Sequence, residues 1–420
     1  MKPKILTTIQ TYDARTFGAD VFAGITVAMV ALPLSMAIAI ASGASPSSGL
    51  VTAIVAGFLI SLLGGSRVQI GGPTGAFIVV VYGVIADHGY DGLVLATFMA
   101  GLILLTAGYL RAGRLIQLVP EPVINGFTIG IAVIIATSQL KDLFGLSIDN
   151  VPADFIPKVA ALWSAADSLN TAALALGLAT MLVIVSLRRA FPRLPGLIVA
   201  VAVTSAALVV LALPVETIHA RFGDLPNALP VPTFPDLSVE RIAEMLPSAF
   251  VIAFLAGVES LLSAMVADRM IQGHHRPNAE LLAQGAANLG SALFGGLPAT
   301  GAIARTATNV RAGGKTPVAG LVHAITILIV MLLAAPLAGY LAMPALAGLL
   351  ILTAWNMSEP HRWASYLKER KSDQFLLVLT LVLTVVADLT VAIGVGVAIG
   401  LALRLRRRDA PPSDWQPPDR

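Results

Sequence analysis

An all-α polytopic membrane protein, with fourteen transmembrane segments arranged as a 7+7 inverted repeat, is predicted by three observations. The 420 residues are 56% hydrophobic and 12% charged, whereas soluble globular chains carry about 25% charged residues. Apolar runs of roughly 15 to 20 residues, enough to cross about 30 Å of hydrocarbon as helix, recur from end to end. They lack the period-two alternation of membrane β-barrel strands. Third, Thr74-Gly75-Ala76 recurs as Thr300-Gly301-Ala302, and the first apolar segments of the two halves, near 22 and 248, are offset by the same 226 residues.

Taken in order, the polar start MKPKILTTIQTYDARTFGAD lacks a signal-peptide core, so nothing is expected to be removed. Segments follow at 22–41, 48–64, 74–87, 92–110, 120–139, 171–189, 195–213, 247–264, 279–295, 300–311, 316–336, 339–354, 373–388 and 389–405. An amphipathic stretch around 155–166 is placed along the outer interface. Residues 1–213 form the first repeat, the Pro-rich 214–246 a linker, 247–405 the second repeat and 406–420 a tail. Of 27 Lys and Arg residues, the loops on one side hold only Lys141, Lys158, Arg221 and Arg241, and Arg305 lies within a segment. The rest, including Lys2, Lys4, Arg404, Arg406, Arg407 and Arg408, share the side of both termini. By the positive-inside rule that side is the cytoplasm. The basic residues gather on no soluble face, so nucleic acid is not an expected partner, and the absence of cysteine excludes disulfides and thiolate chemistry.

Seven segments per repeat make the two halves insert with opposite orientation, the architecture of many secondary transporters. GGPTGAFIVV at 71–80 then acquires a purpose. Its Gly and Pro residues break the helix, and irregular backbone is tolerated at membrane depth only where protein buries it or a cavity meets it. Extended residues at 69–74 and 295–300 each lead into a short helix. Two half-helices of opposite direction are expected to meet head to head near the midplane, presenting positive dipole ends to an anion.

Two charges fall deep inside segments, more than three residues from either end. Glu259, in AFLAGVESLLSAMVA, is costly in lipid and marks a functional site, with Ser263 one turn on; together they are placed to take up a proton or help hold Na⁺. Arg305 adds a full positive charge to the second half-helix, and its alternative role is a salt bridge to Glu259. Other motifs carry less. GGKT at 313–316 lacks the first glycine of a phosphate loop, where Asn309 stands, and no strand precedes it. GVGVAIG at 394–400 reads as helix packing, and His274-His275 as a solvated pair. No catalytic set gathers within the membrane, so neither an enzyme nor a cofactor or metal is expected.

The runs DVFAGITVAMVALPLSMAIAIASG, QIGGPTGAF and NAELLAQGAANLGSALFGGLPATGAIARTATNVRAGGKTP (278–317) resemble the sulfate permease family of anion transporters, and the likeness extends over all fourteen segments. It implies the uracil-permease-like fold, with a core domain of segments 1–4 and 8–11 moving against a gate domain of 5–7 and 12–14, usually within a homodimer. It also implies substrate binding at Thr74, Gly75, Ala76, Thr300, Gly301, Ala302, Ile303 and Arg305, with Glu259 and Ser263 coupling the ion. Many members carry Gln after the first-segment proline. Here Pro33 is followed by Leu34, and the STAS domain that usually follows the last segment is absent after DAPPSDWQPPDR. The expected function is secondary active transport of a small anion (dicarboxylate, sulfate or bicarbonate) with a proton, in a bacterial inner membrane. Sodium-coupled bicarbonate uptake, an anion channel on the same scaffold and a nucleobase permease are the alternatives.

Overall fold

The structure, a computed structural model, describes residues 2–113, 120–148, 151–191, 195–387 and 389–406. Arg407 and Arg408 lie outside the described residues. The first half comprises α1 (Ala14–Ala41), α2 (Pro46–Leu63), β1 (Gly71–Gly72), α3 (Ile78–Tyr109), α4 (Glu121–Ser138), α5 (Phe155–Ser164), α6 (Thr171–Ala190) and α7 (Gly196–Val210). The second comprises α8 (Val239–Ile271), α9 (Pro277–Leu293), β2 (Thr300–Gly301), α10 (Ile303–Arg311), α11 (Val318–Gly339), α12 (Met343–Met357), α13 (Lys371–Val386) and α14 (Leu389–Arg406). Each expected segment has a helix at its place. Among the described residues, seven helices are long and apolar enough to cross a membrane: α1, α2, α3 with the turn that leads into it, α4 with its extension to Phe144, α6, α8 and α11.

Local chemistry sets the helix starts. Asp13 caps α1 by accepting from the Thr16 amide at 2.8 Å. Prolines stand in the first turns of α2, α4, α9 and α12, where the missing N–H has no intrahelical partner to lose. The third and fourth expected segments both fall in α3, separated by Gly89, whose φ of 72° and ψ of 178° are non-helical. The second half begins earlier than the hydropathy boundary at 247. Helix α8 starts at Val239 and runs through Pro247, because its first turns are polar and held by side chains; His88 of α3 pairs with Glu244 at 2.8 Å.

The helices pack in two sets. Helices α1, α2, α3, α8, α9, α10 and α11 pack mainly on one another, and α4, α6, α7, α12, α13 and α14 form the second set. These are the memberships expected of core and gate, and they meet chiefly where α7 and α12 lie against α1. The GGKT loop belongs to the first set. Its Lys315 and Thr316 amides donate to the buried Asp20 carboxylate at 2.7 and 3.2 Å, so its backbone donors are spent on a carboxylate of α1.

A second buried carboxylate, not singled out from the sequence although it lies within the expected segment 279–295, fixes the core. Glu280 is fully buried. It accepts from the Gly65 and Ser66 amides at 2.9 and 3.3 Å, and from Ser260 Oγ and Gln284 Nε2, both at 3.0 Å. Four donors compensate a charge that would otherwise be costly in this environment. Glu280→Ala leaves two buried backbone amides without an acceptor. A loss of about 3 kcal/mol is expected at roughly 1–3 kcal/mol for each unsatisfied group, read as a lowered thermal unfolding midpoint in detergent.

Candidate anion site at the crossing of two broken helices

The chain between α2 and α3 and the chain between α9 and α10 cross as antiparallel strands, pairing Gly71 with Gly301 and Gly72 with Thr300. The Ala302 amide extends the ladder to the Ile70 carbonyl at 2.8 Å. Side chains satisfy much of the remaining backbone. Asn288 receives the Ala299 amide and donates to its carbonyl, both at 2.9 Å. Thr52 Oγ1 accepts from Leu297, Thr306 Oγ1 accepts from Ile70, and Asn309 Nδ2 donates to the Val68 carbonyl, at 2.7, 3.0 and 2.8 Å. This is how irregular backbone is kept at membrane depth without unpaired polar groups.

Because the strands are antiparallel, the helices they feed run in opposite directions. The expected tip-to-tip meeting is therefore corrected. The two starts, Gly75 and Ile303, leave opposite ends of a shared ladder, since the extended residues pair with each other. Neither start has a side-chain cap, so their first N–H groups lack both an intrahelical and a side-chain partner of the usual kind. The second helix begins at Ile303, after the expected 300, and its nine residues are largely polar.

Arg305 bridges the two starts. It is 1% exposed, and its Nη2 donates to Ser35 Oγ at 3.1 Å and to the Pro73 carbonyl at 3.0 Å. Its Nη1 is buried without a hydrogen-bond partner. Gly72 makes the approach possible: a Cβ there would stand 2.3 Å from Arg305 Nη1, and its φ of +149° already disfavours other residues. The salt bridge to Glu259 weighed from the sequence is not formed within 4.0 Å. Instead Glu259 Oε2 accepts from Thr74 Oγ1 at 2.9 Å, which occupies the hydroxyl that would otherwise cap α3.

The other expected residues divide. Gly75 lies against the second helix set, since a Cβ there would stand 2.9 Å from Met357 Sδ and 3.4 Å from Ile135 Cδ1. Ala76 and Ala302 are buried beside the crossing, whereas Ile303 is exposed. Thr300 turns its hydroxyl to the Ala256 carbonyl at 2.8 Å, and Gly301 packs on Gln69; both build the ladder. Ser263 contacts Thr306 Oγ1 at 3.3 Å, so the hydroxyl that reaches Glu259 comes from Thr74. Sequence reasoning passed over Ser35, Gln69 and His323. Ser35 stands two residues after Pro33 and supplies a polar contact close to where Leu34 replaces the family's Gln. His323 is fully buried in α11 with neither ring nitrogen hydrogen-bonded. A polar residue inside an apolar helix was the available signal for it.

Broken helices crossing at a buried cation, within a bundle of apolar helices, define a polytopic membrane protein with a central site suited to negative charge. Residues 17–380 match the model of the sulfate permease family, and the chain belongs to that family. It is 42% identical over 370 residues to a Bacillus subtilis (strain 168) protein named "Putative sulfate transporter YvdB", covering 88% of this chain and 70% of that one. It is 33% identical over 346 residues to the bicarbonate transporter BicA of a Picosynechococcus species, covering 80% of this chain and 61% of the relative. The chain thus spans about three-fifths of BicA's length. The solved transmembrane domain of a cyanobacterial BicA superposes with a TM-score of 0.82 at 32% identity, covering 91% of this chain and 98% of that domain. Murine Slc26a9 in its inward-facing state gives 0.87 at 19% identity, which shows the fold alone.

Proposed function

We propose that the chain is a secondary active carrier of a small anion, working by alternating access of the α1–α3 and α8–α11 set against the remaining helices. The observation that carries this reading is Arg305 Nη1, buried without a partner beside two uncapped helix starts. A desolvated guanidinium with an uncommitted N–H matches a planar or tetrahedral oxyanion. Gly75 against Met357 and Ile135 supports a site on the boundary between the two sets, where relative motion would expose it to one face and then the other. The names of the relatives favour sulfate and bicarbonate as the anions to test first, with dicarboxylates as the third class. In a bacterial-type plasma membrane both termini would be cytoplasmic, and the working unit would be a homodimer.

Glu259 couples the anion to a proton. Thr74 and Glu259 offer few oxygens for a metal cation, which takes several, whereas a carboxyl group takes one proton. The alternative, sodium-coupled bicarbonate uptake, is supported by the likeness to BicA. Proteoliposomes separate the two readings: anion uptake is expected under an imposed pH gradient without sodium, and uptake driven only by a sodium gradient contradicts proton coupling. Glu259→Gln is expected to keep anion binding but lose accumulation driven by the pH gradient. Full accumulation in that variant would remove Glu259 from the coupling step.

A further inference from the structure

Lys158 is a basic residue that the central site does not use. It lies on α5, which packs on α4 and α13 of the second set. The helix turns Ile156, Val159 and Trp163 outward as exposed apolar side chains, suited to a bilayer interface. Lys158 points the other way and is 3% exposed. Its Nζ donates to Ser138 Oγ at the end of α4 (3.2 Å) and sits 5.1 Å from the centre of the Tyr82 ring on α3. Tyr82 in turn donates to the Val151 carbonyl at 2.7 Å, in the segment that leads into α5.

Two features make this contact informative. It joins the sets: Ser138 and α5 belong with the second, Tyr82 with the first. Among the described residues, Lys158 also has no carboxylate within 4.0 Å, unlike Arg221, which pairs with Asp142 at 2.6 Å. Among the described residues its charge is offset by a hydroxyl, a ring face and the more distant Asp154, and burial holds its pKa below the ordinary lysine value. Tyr82 stands seven residues along α3 from Gly75, roughly 10 Å at about 1.5 Å per residue. The cluster therefore lies about two helical turns along α3 from one end of the anion site.

We propose that Lys158 and Tyr82 form a latch closing the α5 face, and that an anion arriving from that face releases it by offering Lys158 a closer counter-charge than the described residues give it. A cation held by a hydroxyl and a ring is poised for exchange, because an anion offers the stronger charge-assisted bond. The latch rests on the alternating-access reading above.

The chain contains no cysteine, so Met357→Cys gives a single reporter beside Gly75. Membrane-impermeant maleimide is applied from the α5 face of vesicles holding the full chain. Labelling is expected to be about tenfold faster when Lys158→Gln or Tyr82→Leu is added, and to return towards the parental rate with Lys158→Arg. With bicarbonate and sulfate as probes, KM measured from the α5 face is expected to rise about tenfold in Lys158→Gln and to stay unchanged from the opposite face. Labelling rates within twofold of the parent in both Lys158→Gln and Tyr82→Leu would overturn the latch. Lys158→Arg and Tyr82→Phe keep the cation and the ring respectively, so both are expected to label near the parental rate, and faster labelling caused by misfolding is told apart from an opened latch. Absence of anion transport in the parent would instead defeat the carrier reading, and the labelling rates would still report on the latch.

Discussion

Gly301→Ala is expected to abolish anion binding and to lower stability by about 2–4 kcal/mol, taking roughly 1–3 kcal/mol for overpacking together with the lost hydrogen bonds. A Cβ at this position would stand 1.5 Å from Gln69 Nε2 and 2.6 Å from its Cδ. Gln69 is held by its bonds to the Ser260 carbonyl at 3.2 Å and to Ser260 Oγ at 2.9 Å. The new methyl must therefore either break both bonds or push β2 off β1. Gly83→Ala is the matched control, since nothing lies within 4 Å of a Cβ there, and it should leave stability and binding intact. Adding Gln69→Ala to Gly301→Ala should recover part of the loss, because neighbouring sites that share a clash are not additive. Thermal unfolding and anion titration of the four proteins read these outcomes, and a Gly301→Ala protein that behaves like Gly83→Ala contradicts the ladder's tight packing.

The second large effect is at Arg305. Arg305→Gln keeps a donor for Ser35 Oγ or the Pro73 carbonyl but removes the charge and the free Nη1. At about 1.5–3 kcal/mol for a hydrogen bond to a charged group, anion affinity should fall roughly 10- to 150-fold. The fold should persist, since the ladder's own bonds do not involve the guanidinium. Retained affinity would assign the attraction to the helix dipoles alone.

Much of this was legible in the letters, and the misses have physical causes. Apolar runs located the helices because lipid demands unbroken hydrophobic length. The 226-residue offset located both breaks, and the antiparallel register of Gly71–Gly72 with Thr300–Gly301 is the geometry expected of oppositely directed half-helices. Hydropathy misplaced the start of α8, whose first turns are polar and fixed by partners such as His88. It also could not say which acidic residue meets which hydroxyl. Ser263, one turn from Glu259, was the natural partner by helical spacing, yet Thr74 from the crossing strand occupies that place. Long-range pairs such as Arg305 with Ser35, separated by 270 residues, leave no trace in local spacing. Glu280 was hidden by lying near a helix start, where a carboxylate is ordinary; only its burial and its bonds to Gly65 and Ser66 mark it out.

The shared crossing of α3 and α10 as an anion site is tested most directly by thermal stabilisation of the purified parent and of Arg305→Gln with sulfate, bicarbonate and dicarboxylates. A ligand that binds only the folded state raises stability with its concentration. At least one of these anions should give a saturable shift in the parent that needs a tenfold or greater concentration in Arg305→Gln. An equal shift in both proteins, or none with any of the anions, would contradict the site.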